Sequence, residues 1–102
     1  MGYKIIKNAI EQFPHVTTRP MFGYECFSVN GRFFAGFDKK NKEKMIVRLK
    51  AVEQRALTNE GIKPFSHGAK AGWIEINTKS VKDGNVLKWI KEGYAHAIQL
   101  SK

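Results

Sequence analysis

Cysteine and histidine are the residue types in this chain that most often carry nucleophilic or metal chemistry, and they are few and scattered. Cys26 is the only cysteine, and the three histidines are His15, His67 and His96. A catalytic cysteine needs a base within hydrogen-bonding reach, and a zinc site needs closely spaced ligands. The nine acidic residues show no paired arrangement for acid–base work. We therefore expect no catalytic residue, metal or cofactor, and we interpret Cys26 as a small buried residue of a strand.

The string Arg19-Pro20-Met21-Phe22-Gly23 is a candidate interaction edge. Arg19 offers a guanidinium fork to a carboxylate or phosphate, with Met21 and Phe22 as an apolar contact beside it. Arg32 belongs to the same candidate set. The alternative is that Phe22 is a core residue, Gly23 permits a bend and Arg19 stacks over an aromatic ring. We prefer this alternative, because strands of small sheets normally bury such residues.

A run of basic residues follows and suggests a nucleic-acid-binding hairpin. Its members are Lys39, Lys40, Lys42, Lys44, Arg48 and Lys50. The formal net charge of the chain is +9, so attraction to polyanions is expected. Arg32 and Phe34 would add a stacking surface. The alternative is a solvated turn whose lysines protect an edge strand from aggregation.

The segment 67–72 contains two glycines together with His67 and Lys70, and its backbone amides are a candidate anion-binding loop. It lacks the glycine and Lys-Ser/Thr spacing of a P-loop. A mobile connection between elements is the preferred interpretation. An unrecognised small-ligand-binding protein or enzyme that uses this loop stays open as a further alternative.

Length and composition favour one folded domain over residues 1–102. Apolar residues make up 42% of the chain, which is too rich in large side chains for a disordered protein. The sequence shows no signal-peptide pattern and no run long enough to span a membrane. With a single cysteine, these features predict a soluble protein of a reducing compartment, and thus a cytoplasmic location.

The elements follow from hydrophobic spacing and turn signals. Lys4–Phe13 has the spacing of an amphipathic helix that Pro14 ends. Residues 16–49 are typical of an antiparallel meander, in which Asn30-Gly31 joins strands 24–29 and 32–38 through a two-residue turn. In the strand from Lys44, we expect Met45, Val47 and Leu49 to face the core.

The second half predicts a helix over 50–59, a strand over 73–77 and a final helix that begins near Ser80-Val81-Lys82-Asp83, which has the Ser-x-x-acid form of a helix start. Either Trp73 or Ile74 should face the core, but not both. The fold class is α+β: a two-layer fold with an antiparallel sheet of about five strands and helices on one face, in the order α-β(3-4)-α-β-α.

Three strings give this order of elements a specific resemblance: Arg19-Pro20-Met21-Phe22-Gly23, Asn30-Gly31-Arg32-Phe33-Phe34-Ala35 and Met45-Ile46-Val47-Arg48-Leu49. Together with Pro64-Phe65 and Trp89-Ile90, they resemble the amino-terminal domain family of the TfoX (Sxy) competence regulators, over about residues 5–97. After Gly23 the chain departs from the pattern, since Tyr24-Glu25-Cys26 stands where a second glycine is common.

The resemblance implies a fold similar to secretion-chaperone-like and YjbR-like domains, often a homodimer, and little chemistry. It implies a stand-alone member without the second domain of full TfoX proteins. We therefore expect a non-enzymatic regulatory or adaptor domain that acts through protein partners, with a homodimer and nucleic acid as further possible partners and no membrane contact.

Overall fold

The structure is a computed structural model that describes residues 2–50 and 61–102. The described elements, in chain order, are α1 (Tyr3–Glu11), β1 (Val16–Met21), β2 (Tyr24–Val29), β3 (Arg32–Asp38), β4 (Lys44–Arg48), β5 (Ile62–Pro64), β6 (Trp73–Asn77) and α2 (Asp83–Leu100). A single 3-10 turn over Ala69–Ala71 precedes β6. The helix predicted over 50–59 lies outside the described residues.

The strands form one antiparallel sheet in the order β1-β2-β3-β4-β6-β5. The α+β class is confirmed, but the described sheet has six strands rather than about five. The additional strand is β5, a three-residue edge strand that ends in Pro64. A strand of three residues is too short to show an alternating pattern, and its proline lowers the strand propensity further, so the sequence does not predict it.

Both helices pack on the same face of the sheet. Tyr3 of α1 meets the ring of Phe37 at 4.8 Å, and Tyr94 of α2 meets the ring of Phe34 at 5.5 Å. The register of β2 with β3 shifts by one residue at Phe34, which is a β-bulge. The bulge lets Phe34 and Ala35 both turn toward the helices, where both are buried.

The hairpin of β2 and β3 around Asn30-Gly31 is confirmed residue for residue. Met45, Val47 and Leu49 are buried, as predicted, and Ile74 rather than Trp73 faces the core. The last helix begins within the predicted stretch Ser80-Val81-Lys82-Asp83, at its final residue, and its N-cap is Lys82 rather than Ser80. Residues 77–81 form a turn that is closed by hydrogen bonds to the Asn77 carbonyl, and α2 begins at Asp83.

Within residues 2–50 and 61–102, no helix is long and apolar enough to cross a membrane.

Candidate functional site

The candidate site lies on the face of the sheet that points away from α1 and α2, which we call the open face. Strand register places one row of residues across all six strands on this face: Arg19, Cys26, Gly36, Ile46, Glu75 and Lys63. The middle of the row is small and apolar, and its ends are charged. Larger side chains of the neighbouring rows, Tyr24, Phe33 and Trp73, border the middle of this row, so the centre of the open face is concave.

This concavity is a groove of about 700 Å³. The aromatic side chains that line it are Phe22, Tyr24, Phe33, Phe65 and Trp73. Cys26 and Ile46 form its floor on either side of Gly36, where an added Cβ would lie only 3.2 Å from the Cys26 sulfur. A groove with apolar walls and a few placed charges is typical of a binding site.

One wall of the groove carries an ordered charge cluster. Glu75 accepts a contact from Lys44 Nζ at 3.3 Å on one carboxylate oxygen and from Lys63 Nζ at 3.3 Å on the other. Lys44 also lies 5.9 Å from the ring centre of Tyr24 and 6.0 Å from that of Phe65. A hydrogen bond with Tyr24 and the proximity of Glu75 raise the pKa of Lys44 against the opposing effect of burial. Lys44 is therefore a fixed positive charge at the groove.

A closed loop, residues 65–72, forms the wall beside β6. The amides of Gly68, Ala71 and Gly72 donate to the carbonyls of Phe65, Gly68 and Ala69 at 2.9 to 3.0 Å. Gly68 lies so close to Trp73 that an added Cβ would be 2.6 Å from its ring. The loop therefore packs on Trp73 and uses these amides internally.

That arrangement bears on the candidate anion loop. His67 packs edge-on against Phe65, with ring centres 5.5 Å apart, and Lys70 is exposed in the 3-10 turn. Three amides of the segment 67–72, those of Gly68, Ala71 and Gly72, donate to carbonyls of the loop itself, which leaves fewer donors for an anion. The structure thus gives His67 a place at the rim of the groove and gives Lys70 a place on the surface.

The opposite wall is the tip of the β1–β2 hairpin. Met21 pairs with Tyr24, so Phe22 and Gly23 form a two-residue turn, with φ of 52° and 80°. The preferred interpretation of Phe22 as a core residue is wrong, because its side chain is 92% exposed. The wrong interpretation came from residue type, because phenylalanine rarely forms turns and is rarely exposed. Phe22 nevertheless lies in a turn and is exposed.

Cys26 is buried on the groove floor, as predicted for a structural cysteine. Burial raises the pKa of its thiol, and the charge of Lys39 lowers it in part. The thiol form therefore predominates at neutral pH, which disfavours nucleophilic attack. Among the described residues, no group of three potential ligands could hold a metal ion.

The predicted basic hairpin is divided among several positions. Lys39 and Lys40 are exposed in the β3–β4 loop, whereas Lys42 lies over the ring of Tyr3 at 4.5 Å. Lys44 belongs to the groove, as described above. Arg48 donates from Nε to the carbonyl of Ala71 at 3.0 Å. Lys50 is exposed beyond the end of β4.

Arg32 and Phe34, the proposed stacking surface of that hairpin, do not lie where the prediction places them. Phe34 is fully buried under α2, so the expectation that it stacks on a base is wrong. Arg32 lies at the Asn30-Gly31 end of the sheet and donates from Nη2 to the Leu100 carbonyl at 3.3 Å, near the end of α2. Arg32 is therefore separated from Phe22 by the length of β2.

Sequence reasoning missed most of the groove. Tyr24, Phe33, Phe65 and Trp73 come from three strands and a loop, and they meet only because β6 inserts between β4 and β5. One signal was available: Phe33 and Trp73 each precede a buried strand residue, Phe34 and Ile74, and such alternation places an aromatic ring on the outer face of the sheet.

Comparison with known proteins adds a family and a fold. The family model of the TfoX N-terminal domain matches residues 8–97. A crystal structure of a protein from Pseudomonas syringae is similar, with a TM-score of 0.73 and 12% sequence identity over 95% of this chain and 99% of that chain. This likeness concerns the fold alone. No match was found among functionally curated proteins.

Proposed function

The chain belongs to the TfoX N-terminal domain family, and from this premise we propose that it is a non-enzymatic regulatory or adaptor domain that works by binding a protein through its open face. The observation that carries the proposal is the aromatic groove with the exposed Phe22 at its rim. Contiguous exposed apolar surface of this kind is characteristic of interaction sites on soluble domains.

The open face is a better candidate than the sheet edges. Both edge strands contain a proline, Pro20 in β1 and Pro64 in β5. The amides of Phe65 and Asn77 bond across the β5–β6 pair, and strand alternation then turns the nitrogen of Pro64 outward. A proline at that place removes the donor that an added strand would need. A partner is therefore expected to lie on the face of the sheet.

Site-specific photocrosslinking in cells tests the proposal. The full chain carries p-benzoylphenylalanine in place of Phe65 at the groove or, as a matched control, in place of the exposed Lys91 on α2. We expect one discrete protein adduct from position 65 and none from position 91. Mass spectrometry then identifies the adduct, and titration with that purified protein measures its affinity. A second copy of the chain in the adduct would make the domain a homodimer through this face.

The proposal is contradicted if position 65 gives no protein adduct, or if positions 65 and 91 give the same set. An adduct that nuclease removes would favour the second candidate function instead.

That second candidate is nucleic-acid binding, and the observation that favours it is the exposure of Lys39 and Lys40 on the β3–β4 loop of a chain with a net charge of +9. Phosphate binding by lysines requires such solvent-exposed ammonium groups. Reversal of Lys39, Lys40 and Lys42, the three lysines of this loop, to glutamate should then abolish retention on DNA or RNA.

A further inference from the structure

Phe22 occupies a backbone conformation that its residue type disfavours. Its φ is 52°, in the left-handed region that glycine and asparagine adopt readily and that bulky residues avoid. Exposure adds a second cost, since a phenylalanine that is 92% exposed contributes almost no burial to the fold. The free domain therefore gains nothing from Phe22 that would offset the strained turn.

The chain contains its own reference for this turn. Asn30-Gly31 is also a two-residue hairpin turn, with φ of 52° and 79°, which matches the 52° and 80° of Phe22-Gly23. The reference turn has asparagine at the first position, which is the residue favoured there. Phenylalanine at the equivalent position is thus a departure from the stable choice, and it places an aromatic ring at the rim of the groove.

The charges of the open face indicate what the groove would hold. Strand register puts these charged side chains on it: Arg19, Asp38, Lys44, Arg48, Lys63 and Glu75. Glu75 contacts Lys44 and Lys63, and Asp38 accepts the amide of Lys40 at 2.8 Å. With four positive and two negative side chains, the open face has a net charge of +2 around an apolar floor. Its complement is a segment in which carboxylates alternate with apolar side chains.

We propose that Phe22 is the anchor with which the open face holds an acidic, apolar segment of a partner protein, and that the chain accepts a strained turn to present this ring. The inference rests on the proposed adaptor function and adds to it the anchor and the chemistry of the partner. Aromatic residues, phenylalanine included, are enriched at protein interfaces, where a few side chains that become fully buried contribute most of the binding energy.

Binding is tested on the purified full chain with two fluorescein-labelled probe peptides of equal length, one alternating glutamate with leucine and phenylalanine, the other carrying lysine in place of every glutamate. We expect the acidic peptide to bind and to shift the amide resonances of Cys26, Gly36 and Ile46, and the basic peptide to bind at least about tenfold more weakly. Phe22→Ala, which keeps the left-handed backbone but removes the ring, should lower the affinity for the acidic peptide by at least about tenfold.

The effect of the strained turn on Tm is tested with two variants, each of which gives one hairpin turn the first residue of the other. Phe22→Asn should raise Tm by about 4 °C because it relieves the strained conformation, and it should lose peptide binding as Phe22→Ala does. The matched control Asn30→Phe builds the strained turn at the far end of β2, where Asn30 also loses a 3.3 Å bond to Ser101. It should lower Tm and leave peptide binding unchanged.

The inference is overturned if the two peptides bind equally, or if Phe22→Ala binds the acidic peptide like the wild type. It is also overturned if Phe22→Asn lowers Tm, since the ring would then stabilise the free domain. A groove-specific crosslink from position 65 in the presence of any of these results would leave the adaptor function standing and remove only the anchor and the acidic partner.

Discussion

At the scale of the residue, two glycines of α2 have opposite surroundings. Gly93 packs directly on the sheet, and an added Cβ would lie 2.7 Å from Val47 Cγ1 and 3.0 Å from the Arg48 carbonyl oxygen. Gly84, in the first turn of the same helix, has nothing within 4 Å of that position. Gly93 therefore sets how closely the helix approaches β3 and β4, whereas Gly84 has no packing role.

Gly93→Ala should destabilise the domain although alanine is the better helix former. The clash with backbone and a fixed side chain costs about 2 kcal/mol, which exceeds the gain in helix propensity of about 1 kcal/mol. We expect a fall in Tm of about 4 °C or more by differential scanning calorimetry. Gly84→Ala is the matched control and should raise the free energy of unfolding by about 0.5 kcal/mol. Equal effects of the two substitutions would contradict the close approach of α2.

At the scale of the element, α1 is fastened to β2 by a carboxylate. Glu25 accepts a hydrogen bond from the Tyr3 hydroxyl at 2.6 Å and another from Lys7 Nζ at 3.1 Å. Burial raises the pKa of Glu25, but these hydrogen bonds from Tyr3 and Lys7 outweigh it, so the pKa lies below its usual value of 4.5. The folded state therefore binds the proton less readily than the unfolded chain does.

The lowered pKa makes the stabilisation by the Glu25 contacts with Tyr3 and Lys7, which we call the tether, depend on pH with a definite sign. This stabilisation is complete above the unfolded pKa, near 4.5, and is lost as the pH falls through the lower folded pKa. Glu25→Gln should cost about 1 kcal/mol at pH 7 and should flatten the acid side of the stability curve, measured by urea unfolding between about pH 2 and 7. Tyr3→Phe keeps the ring contact with Phe37 and should remove only part of the slope. An unchanged acid slope in Glu25→Gln would contradict the tether.

Elements with a local signal could be predicted from the sequence. The hairpin of β2 and β3 follows from Asn30-Gly31, because both residues tolerate positive φ, and the core face of β4 follows from simple alternation. The Phe22-Gly23 turn has the same geometry but carries no such signal at its first position. Its shape is imposed by the pairing of β1 with β2, which a local pattern does not contain.

The groove could not be predicted for a related reason. Its walls come from the β1–β2 tip and from residues 65–68, which lie more than forty residues apart in sequence. They face each other because of the strand order β4-β6-β5, which is a property of the whole sheet. Lys44 shows the consequence: it was predicted as part of a basic run, and strand pairing brings it to Glu75 instead.

At the scale of the whole molecule, the net charge of +9 makes attraction to polyanions unavoidable at low salt. A nucleic-acid site therefore has to be distinguished from this general attraction. Position provides the distinction. Lys39, Lys40 and Lys42 share the β3–β4 loop, whereas Lys4, Lys91 and Lys102 are exposed at positions on α1, on α2 and at the carboxyl end.

Reversal of either set of three lysines to glutamate lowers the formal net charge from +9 to +3, so the two variants differ only in where the charge is lost. If the β3–β4 loop is a phosphate-binding site, its reversal should abolish binding to single-stranded and duplex DNA at about 50 mM salt, and the matched variant should keep most of it. Equal losses would assign the binding to net charge and remove the loop as a site. Absence of binding by the wild type at this salt concentration would exclude the nucleic-acid function and leave the positive surface to an acidic protein partner.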